Sequence, residues 1–210
     1  MFSMRKKEVL GLVLGMLSVL MASYFFPQMS ELMSIDFLGM RGISRVVAVF
    51  VFPAACFLLW VFYKTLDRTD PFVTNFESYR VEAESFLNVL LVLVLYFQFM
   101  VIRWNTGTLY YDSQVLLPFF STLIFSAGIL VGRAERGGIH AFITPWTLKS
   151  PEVRRRTHEK AGFFLKLVAV LGMTGVFFPH LSGYFITVPL VLAILWLTVY
   201  SYMEYMEKSV

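Results

Sequence analysis

The chain has 210 residues, of which 58% are hydrophobic and 17% aromatic, while only 15% are charged; an average soluble domain carries about 25% charge. With a mean hydropathy of +0.69 it lacks the polar surface of a water-soluble globule, and a lone cysteine, Cys56, excludes an intrachain disulfide framework. The net charge of +4 informs less by its size than by where the basic residues lie.

Six apolar blocks, Val9–Phe26, Val46–Tyr63, Phe86–Ile102, Val115–Gly132, Ala161–Phe178 and Tyr184–Met203, follow one another along the chain. Each is close to the roughly 17–25 residues that a helix needs to cross the hydrocarbon of a bilayer. Lipid offers no partner for a backbone N–H, so only helices or closed barrels span it, and these runs lack the alternation of barrel strands. The expected fold is all-α, a polytopic membrane protein with a bundle of six transmembrane helices forming a single membrane domain over residues 1–210.

The first block follows Arg5, Lys6 and Lys7, in the manner of a secretory signal. Its apolar core exceeds the roughly 7–15 residues of a signal h-region, and Met21-Ala22-Ser23-Tyr24 offers no small-x-small cleavage site, so a retained helix is expected. Gly11, Gly15, Ser18 and Ala22 place a row of small side chains on one of its faces, where another backbone can approach. Cys56 falls in the middle of the second block and reads as a small apolar filler. The third block contains Asn88 and Gln98, amides whose expected task is interhelical hydrogen bonding. Gly128 and Gly132 in the fourth block, with Ala161, Val168, Gly172 and Gly175 in the fifth, repeat the small-residue pattern. Such glycine pairs also suit a homo-oligomer, although packing inside a six-helix protein is the simpler use.

Positive charge sets the orientation. With the N-terminus inside, 14 of the 18 Lys and Arg fall in cytoplasmic segments, and the outer ones hold only Arg41, Arg45 and Arg103. Both termini are therefore expected in the cytoplasm of a cell-membrane protein. Tyr24, Trp104, Tyr110, Tyr111 and Tyr184 collect at the outer ends, and Trp60, Tyr63, Tyr200, Tyr202 and Tyr205 at the inner ones, as amphipathic rings do at headgroup depth.

Chemistry-bearing patterns are scarce. There is no Gly-x-Ser-x-Gly, no phosphate-binding loop, no dinucleotide glycine fingerprint and no His-Glu-x-x-His helix. His140, His158 and His180 are divided between the two sides of the membrane in this topology, which disfavours a metal site. No cofactor, no catalytic residue and no direct nucleic-acid contact is expected. Lys166 lies close enough to the cytoplasmic end of its span to snorkel, so the membrane interior lacks the ionisable groups on which ion-coupled transport depends. A small transporter or channel for a peptide, lipid or ion is the alternative to a non-enzymatic binding protein.

The richest segment is the cytoplasmic connection of residues 133–160. Ser150-Pro151-Glu152 reads as a helix start, with serine at the cap, proline where no N–H partner is needed and an acid near the positive end of the dipole. The helix is expected to run unbroken into the fifth span, with Glu152 pairing Arg155 or Arg156 and Arg155 pairing Glu159. Arg154, Arg155, Arg156 and Lys160 would then form a basic collar for anionic lipid or an acidic partner.

Just upstream, Ile143-Thr144-Pro145-Trp146-Thr147-Leu148-Lys149-Ser150, followed by Glu152-Val153, Thr157-His158 and Ala161-Gly162, resembles the signature loop of the SdpI family of bacterial and archaeal membrane proteins. The likeness covers about 20 residues, and the six-span layout and length are similar to those of the family. Asp70-Pro71 and Asn75 resemble its Asp-Pro…Asn element, and the loop Pro27–Arg45 is similar to a worn form of its outer segment. Ala141 and Ile143 stand where the family has glycine and arginine, Arg154 where it has tryptophan, and Asp36 where a histidine is usual. The resemblance implies a bacteriocin-immunity or toxin-peptide-resistance protein, with one branch of the family adding signal reception and retention of a transcription regulator at the membrane. The residues it singles out for partner binding are Asp70, Pro71, Asn75, Thr144, Pro145, Trp146, Thr147, Leu148, Thr157, His158 and Gly162. It implies as partners a toxin peptide and a cytoplasmic regulator protein, besides the membrane lipids themselves.

Overall fold

The computed structural model describes residues 6–35, 40–66, 76–107, 112–133 and 142–208. In order they form α1 (Lys6–Phe25), β1 (Leu32–Ile35), β2 (Met40–Ser44), α2 (Arg45–Leu66), α3 (Phe76–Asn105), α4 (Asp112–Arg133), α5 (Pro145–Lys149), α6 (Pro151–Thr174) and α7 (Tyr184–Lys208). Every helix except α5 is long and apolar enough to cross a bilayer, the architecture of a multi-pass, all-α membrane protein.

The helices depart from the apolar blocks where polar residues continue them. α3 begins at Phe76, ten residues before the apolar run, because Phe76–Ser85 is polar but rich in residues that tolerate a helix. α7 likewise runs past Met203 to Lys208. α6 ends at Thr174, short of the expected Phe178, and two single 3₁₀ turns, Gly175–Phe177 and Pro179–Leu181, lead to α7. Pro53, Pro118 and Pro189 lie inside helices. Pro118 has no N–H to offer the carbonyl four residues back, and the Tyr96 hydroxyl, 3.2 Å from the carbonyl oxygens of both Gln114 and Val115, donates there instead.

The chain divides into two compact units, one of residues 1–69 and 87–119, the other of residues 70–86 and 120–210. In the first, Ser18 Oγ on α1 donates to Gln98 Oε1 on α3 at 2.6 Å, and Gln98 Nε2 donates to the Ser18 carbonyl at 3.1 Å. Both side chains are fully buried, as expected of an amide in a span. Ala22, Met33, Val49, Val101 and Ile102 pack into a core beside them. Of the small-residue row on α1, Ser18 and Ala22 are buried and Gly11 meets Leu91 and Trp60, but nothing lies within 4 Å of a Cβ placed on Gly15.

The connection between α1 and α2 contains a hairpin that apolar patterning did not signal. β1 and β2 pair antiparallel, Leu32 with Ser44 and Met33 with Ile43, with an irregularity between Met33 and Ile35. Gly42 takes a φ of 70°, which suits a residue without a Cβ. Asn105, the last residue of α3, replaces a third strand: its Oδ1 accepts from the Ser34 N–H at 2.9 Å and its Nδ2 donates to the Ser34 carbonyl at 2.8 Å. A two-stranded hairpin is marginal alone, and this amide together with buried Met33 fastens it.

In the second unit α4 and α6 approach through glycine. A Cβ on Gly162 would stand 2.5 Å from the Gly132 Cα and 2.6 Å from the Gly128 carbonyl oxygen, so position 162 admits only hydrogen. Gly172 plays the same part against Ile186 of α7 and Ser121 of α4. Farther along, Phe164 packs on Trp196, which stacks on Tyr200, closing α6 onto α7.

Candidate functional site

The segment 142–160 is braced first of all by hydrogen bonds among its own residues. Thr144 has extended backbone angles and caps α5: its Oγ1 accepts from the Thr147 N–H at 3.2 Å while Thr147 Oγ1 accepts from the Thr144 N–H at 2.8 Å. This is a reciprocal capping box with threonine in place of the usual Glu or Gln. Pro145 occupies the first helical position, where its missing N–H has no consequence. Ser150 then serves two helices. Its N–H bonds the Trp146 carbonyl to close α5, and its Oγ accepts from the Val153 N–H to open α6, so the predicted helix start at Ser150-Pro151 is observed.

Residues of α6 and α7 hold this loop. Thr144 and Ser201 hydroxyls are 3.3 Å apart, and both residues are buried. Trp146 meets Tyr202 edge to face with ring centroids 5.1 Å apart, and the Lys149 ammonium lies 5.9 Å from the Tyr205 ring centroid. His158, 2% exposed, accepts the Phe142 N–H on its Nε2 at 3.4 Å, which requires that nitrogen to be unprotonated. Thr157 is buried and bonds the Val153 carbonyl within its own helix, and Gly162 supplies the contact with α4 described above.

The charges are more internally committed than a row of arginines suggests. Arg155 forks onto Glu152 at 2.8 and 3.1 Å and reaches Glu159 at 2.6 Å. Arg156 bonds Glu152 at 3.0 Å and crosses to Glu204 of α7 at 3.1 Å, where the Tyr200 hydroxyl also donates at 2.7 Å. The expected pairs of Glu152 and Glu159 are present, and Glu204 joins them. Arg154 and Lys160 make no ion pair with a described residue. The collar therefore combines two cations engaged by carboxylates with two that are not.

The structure thus gathers Thr144, Pro145, Trp146, Thr147, Leu148, Thr157 and His158 into one unit with Arg155 and Arg156. Asp70, Pro71 and Asn75, like Ala141, lie outside the described residues. Sequence reasoning named Tyr202 only as an interfacial ring and missed Ser201 and Glu204, the residues of α7 that receive Thr144 and Arg156. A carboxylate at Glu204, one residue beyond the apolar run, was the available signal. Among the described residues no group of three or more His, Cys, Asp and Glu is arranged to hold a metal. No family model, no curated protein and no solved structure matches this chain.

Proposed function

We propose that this chain is a non-enzymatic immunity or resistance protein of the SdpI type, acting in the cell membrane with both termini and the 133–160 segment in the cytoplasm, and protecting its host against a secreted toxic peptide. The observation that carries this reading is the construction of the signature segment. Its buried hydroxyls and imidazole bond one another and the neighbouring helices, so the residues that resemble the family motif form one ordered structure on α6 and α7. A mere tether between spans has no need of a capping box, a buried histidine and an edge-to-face Trp146–Tyr202 contact. In this reading a signal from toxin bound in or outside the membrane reaches a cytoplasmic regulator through α6 and α7.

The ion-transport form of the alternative reading is less favoured by a cavity of the second unit. The groove between α4 and α6, about 430 Å³, is lined by apolar and hydroxyl residues, among them Ser121, Thr122, Phe125, Met173 and Phe177, with no charged side chain; an ion path requires polar or charged lining. Expression in a toxin-sensitive bacterium tests the proposal. Survival under a panel of membrane-active peptide toxins should rise, and Trp146→Ala and His158→Ala should each abolish the gain at equal membrane abundance. Killing unchanged by the wild-type chain across the panel, or solute flux in liposomes, would reject it.

A further inference from the structure

The short helix α5 is sorted the wrong way round for a segment bathed in water. Thr144 and Thr147 face inward at 6% and 1% exposure, whereas Ile143 and Leu148 are 60% and 61% exposed. Pro145, Leu148 and Lys149 are also exposed, and at spacings of three and four they share one face of the single turn. An apolar outer face over a polar inner one is the pattern of an element whose surroundings are apolar.

Three observations identify what covers that face. Trp146 packs on Tyr202, which is itself exposed beside exposed Met203 and Met206, so the apolar surface of α5 runs on into the outer surface of a membrane-spanning helix. Trp146 against Tyr202 and Lys149 over Tyr205 gather three amphipathic rings toward one end of α7, the habit of side chains at headgroup depth. The bordering charge is positive: Lys149 is exposed, and Arg154 and Lys160 make no ion pair with a described residue, whereas Arg155 and Arg156 are engaged by glutamates. That arrangement complements anionic headgroups rather than a second copy of the same basic surface.

We propose that α5 lies at the membrane interface, with Ile143, Pro145 and Leu148 immersed at the boundary of headgroups and acyl chains and Lys149, Arg154 and Lys160 set against anionic lipid. This rests on the multi-pass architecture and not on the immunity reading, so either can fail without the other. The signature loop then presents lipid with its outer face, and a soluble partner meets only the ends of α6 and α7.

Cys56 is the single cysteine, so Cys56→Ala provides a clean background for a nitroxide label at Leu148→Cys, with Ile143→Cys as a second site should the first variant misfold. The full chain is placed in nanodiscs of phosphatidylcholine, with and without phosphatidylglycerol, and collisions of the label with oxygen and with a water-soluble nickel chelate are compared. Immersion predicts nickel collisions reduced about tenfold relative to free label, and a further reduction on adding phosphatidylglycerol that Lys149→Glu with Arg154→Glu removes. Nickel access equal to that of free label at both sites overturns the proposal. So does dipolar broadening between labels, which would show a second copy on this face, or a depth indifferent to both headgroup charge and the charge reversals.

Discussion

In the first unit α1 and α3 are joined through a buried Ser18–Gln98 pair, two hydrogen bonds within the hydrocarbon; in the second, α4 and α6 touch backbone to backbone at Gly128, Gly132 and Gly162, and the polar bonds lie at one end of the helices. Lipid is as apolar as leucine, so neither unit is closed by hydrophobic expulsion from water. One uses directional bonds at a single point, and the space beside Gly15 is open. The other uses shape, which tolerates no loose fit. The unit closed by shape is also the one whose end is stiffened by Thr144, Ser201, Arg156 and Glu204, a fitting base for an ordered loop.

The sharpest break in this comparison is Gly162→Leu. Its side chain must occupy the place of the Gly132 Cα and the Gly128 carbonyl, backbone that cannot give way cheaply, and a loss of about 3 kcal/mol, with failure to accumulate folded protein, is expected; unfolding in detergent followed by circular dichroism measures it. Next comes Gln98→Leu, which fits the apolar surroundings but leaves Ser18 facing hydrocarbon. We expect a loss of about 1 kcal/mol by the same measurement, and Ser18→Ala added to it should recover part of the deficit. Thr144→Ala removes one half of the capping box and the Ser201 contact, lowering stability by about 1 kcal/mol, an effect that amide exchange should confine to α5 and the start of α6. Gly15→Ala sharpens the contrast from the other side. Although it belongs to the same kind of small-residue row as Gly162, it should change stability by less than about 0.5 kcal/mol, and a large loss there would mean that the first unit is closed by shape as well.

Six spans, their approximate limits and the cap at Ser150-Pro151 were legible in the chain, because each rests on local composition or on spacings of a few residues; of the two amides expected to bond across helices, Gln98 does so, whereas the buried Oδ1 of Asn88 has no partner among the described residues. Hydropathy locates a helix only while it stays greasy, so the polar starts and ends of α3 and α7 were not visible. The hairpin was hidden for a related reason: it is fastened by Asn105, some 71 residues from Ser34, and no local pattern encodes such a pairing.

The same division holds at the candidate site. The residues of the loop before α6, the arginine row and the pairing of Glu152 with its neighbours could be read from sequence alone, since partners three and four apart on a helix meet in any fold that keeps the helix. That Arg156 crosses to Glu204, that Ser201 and Tyr202 receive the loop, and that Gly162 is closed where Gly15 is open were decided only by tertiary structure. Contacts between helices depend on rotation and depth of one helix against another, quantities set by the packing of many side chains at once and written in no single stretch of the chain.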